Sequence, residues 1–276
     1  MMRARFGSAA LSAAFLSVCL PACVGQAQQA EYRAPRTPHG TPDLGGIWQS
    51  NNTANWDLEP HAARKGPMFQ LGAAFSIPPG LGVVAGSEIP YLPAAVAKRN
   101  ENRANWMKRD PEIKCYMPGI PRATYMPYPF QIVQGGASSD ILVTYEFASA
   151  SRIIRLNATA ESPLDTWMGW SRGRWEGDTL VVDVTAFNGE SWFDRAGNYQ
   201  TSTLHVVERY TAVNGDALQY EATIEDPQIY TRPWKMSMPL YRRLEKNAQL
   251  VDYKCVEFAE GLMYGHMVRQ PRQTIQ

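Results

Sequence analysis

Leu204-His205-Val206-Val207-Glu208-Arg209-Tyr210, then Asn214-Gly215-Asp216, then Leu218-Gln219-Tyr220-Glu221-Ala222-Thr223-Ile224 read as one hairpin. Apolar and polar residues alternate in both flanks, the period of a half-buried strand, and the Asn-Gly-Asp segment between them marks the turn. The register decides which face each side chain takes, because a slip of one residue turns every side chain over. A two-residue loop sets Glu208 opposite Glu221. A three-residue loop pairs Val213 with Ala217 and sets Arg209 opposite Glu221 and His205 opposite Glu225. Opposite charges across a strand pair help and like charges hurt, so the second register is expected. Its other face carries Leu204, Val206, Tyr210, Tyr220, Ala222 and Ile224 with a single acid, Glu208.

Similar strand signals surround the hairpin from Phe130 onward. Phe130 to Val133, Ile141 to Phe147, Arg152 to Leu156, Thr179 to Val184, Trp234 to Leu240 and Leu250 to Phe258 all read as strands, and Gly173 to Asp178 as a turn. Eight or nine short strands with short connections predict an antiparallel barrel or sandwich. Ala94 to Arg109 is the one helix expected: Pro93 suits a first turn and Asp110-Pro111 stops it. Residues 66–93 are rich in Gly and Pro yet apolar, which suits either a packed surface loop or a flap over a pocket or membrane.

The chain begins with an export signal. Arg3 and Arg5 precede a short apolar run, Leu11 to Leu20, too short to span a bilayer. Gly25-Gln26-Ala27 offers an ordinary cleavage site. Leu20-Pro21-Ala22-Cys23 resembles a lipobox that would lipidate Cys23, the only membrane attachment expected, although Pro21 is unusual there. Residues 1–27 are thus a signal peptide, 28–45 a polar, proline-rich tether, and 46–270 a single mostly-β domain of a periplasmic or secreted protein. Loss of Arg3 and Arg5 with the leader leaves 25 basic against 26 acidic residues. That balance lacks the positive footprint nucleic acid requires. Beyond the leader only Cys115 and Cys255 remain, and in an oxidising compartment they are expected to form a disulfide.

Several stretches resemble a family of uncharacterised exported bacterial proteins: Thr41-Pro42-Asp43-Leu44-Gly45-Gly46-Ile47-Trp48, Gly173-Arg174-Trp175-Glu176-Gly177-Asp178-Thr179-Leu180-Val181-Val182-Asp183, and Leu204-His205-Val206-Val207-Glu208-Arg209. The early Gly-x-Trp followed by a closed set of strands is also similar to lipocalin-like, calycin-type barrels. That likeness implies a mainly-β, antiparallel lipocalin-like barrel with one helix and long N-terminal loops. It implies no particular activity, because such barrels host carriers and enzymes alike. Relatives commonly carry a histidine where this chain has Trp170, and a His or Asn where it has Val256.

Glu208 is the sharpest candidate for chemistry. A carboxylate on an apolar face suits a general acid or base, unless an arginine from a neighbouring strand, such as Arg152, pairs with it. Arg152 and Glu146 flank Ala148-Ser149-Ala150 and are expected to face each other across a second hairpin, as a salt bridge or as a hold on a substrate oxygen. Asp194, in a loop, is the second acid, with loop capping as its structural role. Tyr128, Glu146, Trp167, Trp170, Trp192, Tyr210, Tyr220 and Tyr230 are the expected substrate contacts, in a chain with 8 Trp, 13 Tyr and 9 Phe that favour a flat or hydrophobic ligand. His205 lies on the face opposite Glu208, and no two of the four histidines are spaced as ligands, so no metal is expected. Gly169-Trp170-Ser171-Arg172-Gly173 spells Gly-x-Ser-x-Gly without the strand-to-helix elbow a nucleophile needs. No phosphate loop or dinucleotide fingerprint is visible, and no cofactor is expected. Together these point to a cofactor-independent acid–base enzyme (an isomerase, cyclase, lyase or hydratase) on a small hydrophobic or aromatic molecule, or to a carrier or envelope lipoprotein without chemistry.

Overall fold

The structure, a computed structural model, describes residues 32–135 and 140–267. The expected leader and Cys23 lie outside the described residues. Nine strands close into a barrel in chain order: β1 (Gly46–Gln49), β2 (Phe130–Gln134), β3 (Ile141–Tyr145), β4 (Ser151–Leu156), β5 (Trp170–Glu176), β6 (Thr179–Thr185), β7 (His205–Asn214), β8 (Ala217–Glu225) and β9 (Trp234–Arg242). The mainly-β barrel is therefore as expected.

The hairpin keeps the expected register: His205 lies opposite Glu225, Arg209 opposite Glu221 and Tyr210 opposite Tyr220. Its turn differs in detail. Asn214 pairs with Ala217 across Gly215-Asp216, and Val213 bulges out between Ala212 and Asn214. The extra residue in one strand shifts the pairing by one, so a two-residue turn reaches the register expected of a three-residue loop. Leu204, Val206, Tyr210, Tyr220, Ala222, Ile224 and Glu208 are all buried, while His205 and Arg209 are half-buried. Arg209 spends its charge on Glu176 of β5, at 2.8 Å.

One pairing is parallel. Ile154, Arg155 and Leu156 of β4 run alongside Ser171, Arg172 and Gly173 of β5. Parallel neighbours need a crossover of about a dozen residues, and residues 157–169 supply it. Here the expected turn at Gly173 to Asp178 is corrected: Trp170 to Glu176 is a strand, and only Gly177-Asp178 turns, with Gly177 at φ +60°. Of the inward residues of β5, Ser171 and Gly173 are small and only Trp175 is large, half-buried against the core, so the usual apolar alternation is weak. Small size is required there, because a Cβ at Gly173 would lie 2.5 Å from Ile154 and 2.8 Å from Leu156.

Two further expectations are corrected. Leu250 to Phe258 forms no strand, and β1 closes the ring instead, pairing with both β2 and β9. Cys115 and Cys255 do form the expected disulfide, but Cys255 sits in an irregular segment rather than in a last strand. The expected single helix is interrupted at Asn105, giving α1 (Pro93–Ala104) and α2 (Trp106–Arg109). Two short helices join them: α3 (Arg122–Tyr125), buried throughout, and α4 (Ala259–Tyr264), which lies on the surface.

The loop at residues 66–93 packs onto the protein. Met68, Ile77, Val84 and Ile89 are buried, and the backbone around Val83 to Ala85 hydrogen-bonds to Lys235 and Ser237 along β9. At the other end of the expected tether, Leu44 is fully buried and its N–H donates to Gln134 Oε1 at 2.6 Å. Among the described residues no helix is long and apolar enough to cross a membrane.

Candidate functional site

Strand alternation carries Glu208 and Tyr210 of β7, Tyr220 of β8 and Arg152 of β4 to the inside of the barrel. There Arg152 grips Glu208 with both terminal nitrogens, Nη1 to Oε2 at 2.6 Å and Nη2 to Oε1 at 3.1 Å. The Tyr210 and Tyr220 hydroxyls donate to Oε1 at 2.8 and 2.9 Å. Arg152 also reaches Tyr210 Oη at 3.0 Å and Ser171 Oγ at 3.3 Å. All five residues are buried. Burial opposes the charge on Arg152, but Glu208 outweighs it and holds the guanidinium protonated. Burial, seconded by the Glu208 carboxylate, pushes both phenols well up, so they remain neutral donors. The bidentate fork and two neutral hydroxyls satisfy a charge that would otherwise be prohibitive in such a place. Glu146 takes no part. It lies beyond the end of β3, Arg152 faces Val143 instead, and the Glu146 carboxylate accepts from Val251 N at 3.3 Å. The expected pairing across that second hairpin is corrected accordingly.

A cleft of about 560 Å³ has one member of this network, Arg152, in its lining. The β4–β5 ladder stops at Ile154 and Ser171, so the strands part toward Ser151 and Gly169. The crossover then returns past the opening. Arg152, Arg155, Trp167, Met168 and Trp170 are among the lining residues. Arg155 stacks on the Trp170 ring with its guanidinium carbon 3.8 Å from the centroid, and Trp170 Nε1 donates to Ala160 O at 3.0 Å. Trp167 packs against Tyr116, with centroids 5.1 Å apart. Gly169, at φ +68°, lets the crossover turn into β5, and a Cβ there would lie 2.8 Å from both Phe187 and Val184. Thus Arg152, Trp167 and Trp170, singled out separately in the sequence, meet at one opening, with Glu208, Tyr210 and Tyr220 behind it. No protein-family model, curated protein or solved structure matches this chain.

The other expected residues lie in separate settings. Asp194 is fully buried and caps its own loop, accepting from Leu58 N at 2.9 Å, Asn198 Nδ2 at 2.6 Å and Asn198 N at 3.2 Å. Tyr128 stacks with Phe147 and Tyr253, Tyr230 donates to Tyr199 O at 2.8 Å, and Trp192 is buried in a loop that bridges to Tyr199. His205 lies outside, 3.0 Å from Asp183 and 3.7 Å from Glu225.

Burial, reinforced by nearby Asp57, pushes the Asp194 carboxyl up to about 7. The fold therefore prefers the neutral acid. Its contribution to stability is complete below the unfolded-state value near 4 and is lost as pH rises through about 7. Replacing Asp194 with Asn is expected to remove this slope, at most about 1.4 kcal/mol per pH unit across that window. Urea unfolding at pH 4, 5.5 and 7 measures it; an unchanged pH dependence in the variant would contradict the assignment.

Sequence reading missed a second buried network. Arg122 binds Asp110 through two hydrogen bonds of 2.7 and 2.9 Å, and Glu112 at 2.7 Å. Arg195 holds Glu112 through two bonds of 2.9 Å and packs over the edge-on pair of Trp56 and Trp106, 4.7 Å from each centroid. Burial works to raise the Glu112 carboxyl, but Arg195 and Arg122 outweigh it and hold it down at about 2. These residues come from loops and single helical turns such as α3, too short for a periodicity to announce which side chains meet. Among the described residues no group of three or more His, Cys, Asp or Glu is arranged to hold a metal.

Proposed function

We propose that this is an exported protein that binds a small hydrophobic or aromatic molecule in the cleft beside β4 and acts on it by acid–base chemistry. The reaction is of the isomerase, cyclase, lyase or hydratase type. The observation that carries the proposal is the meeting of Trp167, Trp170 and Arg152 on one lining, with Arg152 bound to Glu208 behind it. Two indoles supply flat apolar walls, and ligand sites are commonly apolar surfaces with a few placed polar groups. A ligand oxygen that takes an Arg152 N–H draws the guanidinium off Glu208. Where that oxygen belongs to a carbonyl, the freed carboxylate accepts a proton from the carbon α to it; the C–H pair forms a double bond to the carbonyl carbon, and the C=O pair moves onto the oxygen, held by the arginine. Return of the proton at another carbon gives an isomer; departure of a neighbouring group gives elimination.

The carrier reading uses the same cleft without proton transfer. It is favoured by the hold on Glu208, whose carboxylate has no exposed surface and is bound by Arg152 and two tyrosines. Export rests on Arg3, Arg5 and the apolar run after them, and the disulfide agrees with an oxidising compartment. Lipidation at Cys23 would add a membrane anchor.

Native mass spectrometry of the protein taken from its source is expected to reveal a co-purifying aromatic or hydrophobic molecule. Wild-type protein should convert it and Glu208→Gln should not, while tryptophan fluorescence shows both binding it. Recovery of the molecule unchanged from both proteins would assign the carrier reading. Full binding by Trp170→Ala would remove the cleft from either.

A further inference from the structure

Nearly every arginine among the described residues is paired with an acid, and only Arg33, Arg155 and Arg232 are not. Arg33 and Arg232 are exposed, whereas Arg155 is half-buried and belongs to the cleft lining. The acids near it are engaged elsewhere or stand in water. Asp140, just before β3, accepts from Leu156 N at 3.1 Å. Asp183 pairs at 3.2 Å with Arg172, the residue beside Arg155 in β5. Asp165, the acid in the cleft lining, is exposed and forms no ion pair among the described residues.

The Arg155 side chain is nonetheless held in place. Its guanidinium lies 3.8 Å from the centroid of Trp170, and that ring is itself pinned by the bond from Nε1 to Ala160 O. Stacking uses the face of a guanidinium and leaves its in-plane donors pointing outward. Of these only Nη1 is engaged, in a long contact of 3.4 Å with Ile153 O. Nε and Nη2 have no hydrogen-bond partner among the described residues and are not closed off from solvent. A fixed guanidinium with such a free edge takes a carboxylate through two parallel N–H···O bonds. Arg152 does not offer the same, because both its terminal nitrogens already hold Glu208.

We propose that Arg155 receives the carboxylate of a ligand whose flat aromatic group lies in the cleft. This rests on the cleft being the ligand site, and it narrows the ligand to an aromatic carboxylic acid bound as its anion. The positions fit this role. Arg152 and Arg155 stand three residues apart on β4, about 10 Å along an extended strand. Their side chains leave the strand on opposite faces, and both line the cleft because β4 and β5 part on the Arg152 side. A benzene ring with a polar group at each end spans that separation. It would set its carboxylate on Arg155 and a neutral oxygen toward Arg152, whose charge Glu208 balances.

Calorimetric titration at pH 7 with 4-acetylbenzoate and with 4-acetylbenzamide, its uncharged analogue of nearly the same shape, tests the assignment. Wild-type protein is expected to bind the carboxylate at least about tenfold more tightly, as a fixed charged fork discriminates an anion from a neutral amide. Arg155→Gln should bring the two affinities within about twofold of each other while still binding the amide. Arg155→Lys, which keeps the charge and loses the fork, should fall between the two proteins. Equal binding of both compounds by wild type overturns the Arg155 assignment and leaves the cleft reading standing. Binding of neither removes the cleft as an aromatic site, and the proposal with it. Full carboxylate preference in Arg155→Gln places the anion on another group and also overturns the proposal. A crystal structure of wild-type protein with 4-acetylbenzoate decides independently of how the variants fold. The carboxylate on Arg155 Nε and Nη2 supports the proposal; the carboxylate on Arg152, or outside the cleft, refutes it.

Discussion

Replacing Arg152 with Met is expected to destabilise the protein by about 3–5 kcal/mol, because it strands the Glu208 carboxylate in the barrel without its counter-charge. The side chain of Glu208 is fully buried and that of Arg152 all but so, so water cannot stand in for the missing partner. Two variants separate charge from shape. Glu208→Gln alone leaves Arg152 as the unpaired charge and should also be costly. Combining Arg152→Met with Glu208→Gln removes both charges, keeps an amide oxygen for the Tyr210 and Tyr220 hydroxyls, and should recover most of the loss. The pH dependence has a definite sign. Without Arg152, burial penalises only the charged form of the carboxyl, so the penalty is smallest in acid and grows as pH rises. Urea unfolding of the three variants at pH 4 and pH 7 measures this. A single Arg152→Met that unfolds like wild type at pH 7 would show that the pair contributes nothing to the barrel.

Removal of the disulfide should have a comparable effect. Cys115 and Cys255 are 140 residues apart in sequence, and closing so long a loop restricts the unfolded chain strongly. Losing such a bridge typically costs about 2–5 kcal/mol. Local consequences follow from what the bridged segment holds in place. Tyr253 packs edge-on against Tyr128 and at a tilt against Phe147, Phe258 N donates to Ile113 O at 2.8 Å, and Glu260 pairs with Arg195 at 3.1 Å. Cys115→Ser and Cys255→Ser are expected to lose equal stability, matched by wild type unfolded under reducing conditions. Unequal losses would mean that one cysteine also matters through its own packing.

How far the sequence could be read depended on periodicity. The hairpin was legible because its alternation is clean and its charges discriminate between registers. Strand parity then separated His205 from Glu208 and placed the acid inside, where Arg152 was one of its expected partners. β5 was hard to read because two of its inward positions are the small Ser171 and Gly173, the latter held close to Ile154 and Leu156, and only Trp175 is apolar and large. Leu250 to Phe258 carried strand-like residues but has no strand to pair with, since β1 already closes the ring. Ser171 meets Arg152 only through the parallel pairing of β4 and β5, and a single sequence holds no sign of that. Arg122 gave no signal because its partners Asp110 and Glu112 lie at a loop end and in a single 3-10 turn, where no repeat marks them.

The ring closed by β1 sets an order of events. Its partners are β2 and β9, so Trp48 finds its second neighbour only when Arg242 is present. A chain that emerges N-terminus first at about 5–20 residues per second exposes Gly46-Ile47-Trp48 for roughly 10–40 s before β9 follows. Trp48, fully buried in the finished protein, is apolar surface throughout that interval. The four-residue strand that emerges first is thus the last to be seated, and it is the stretch a holding chaperone has most reason to cover.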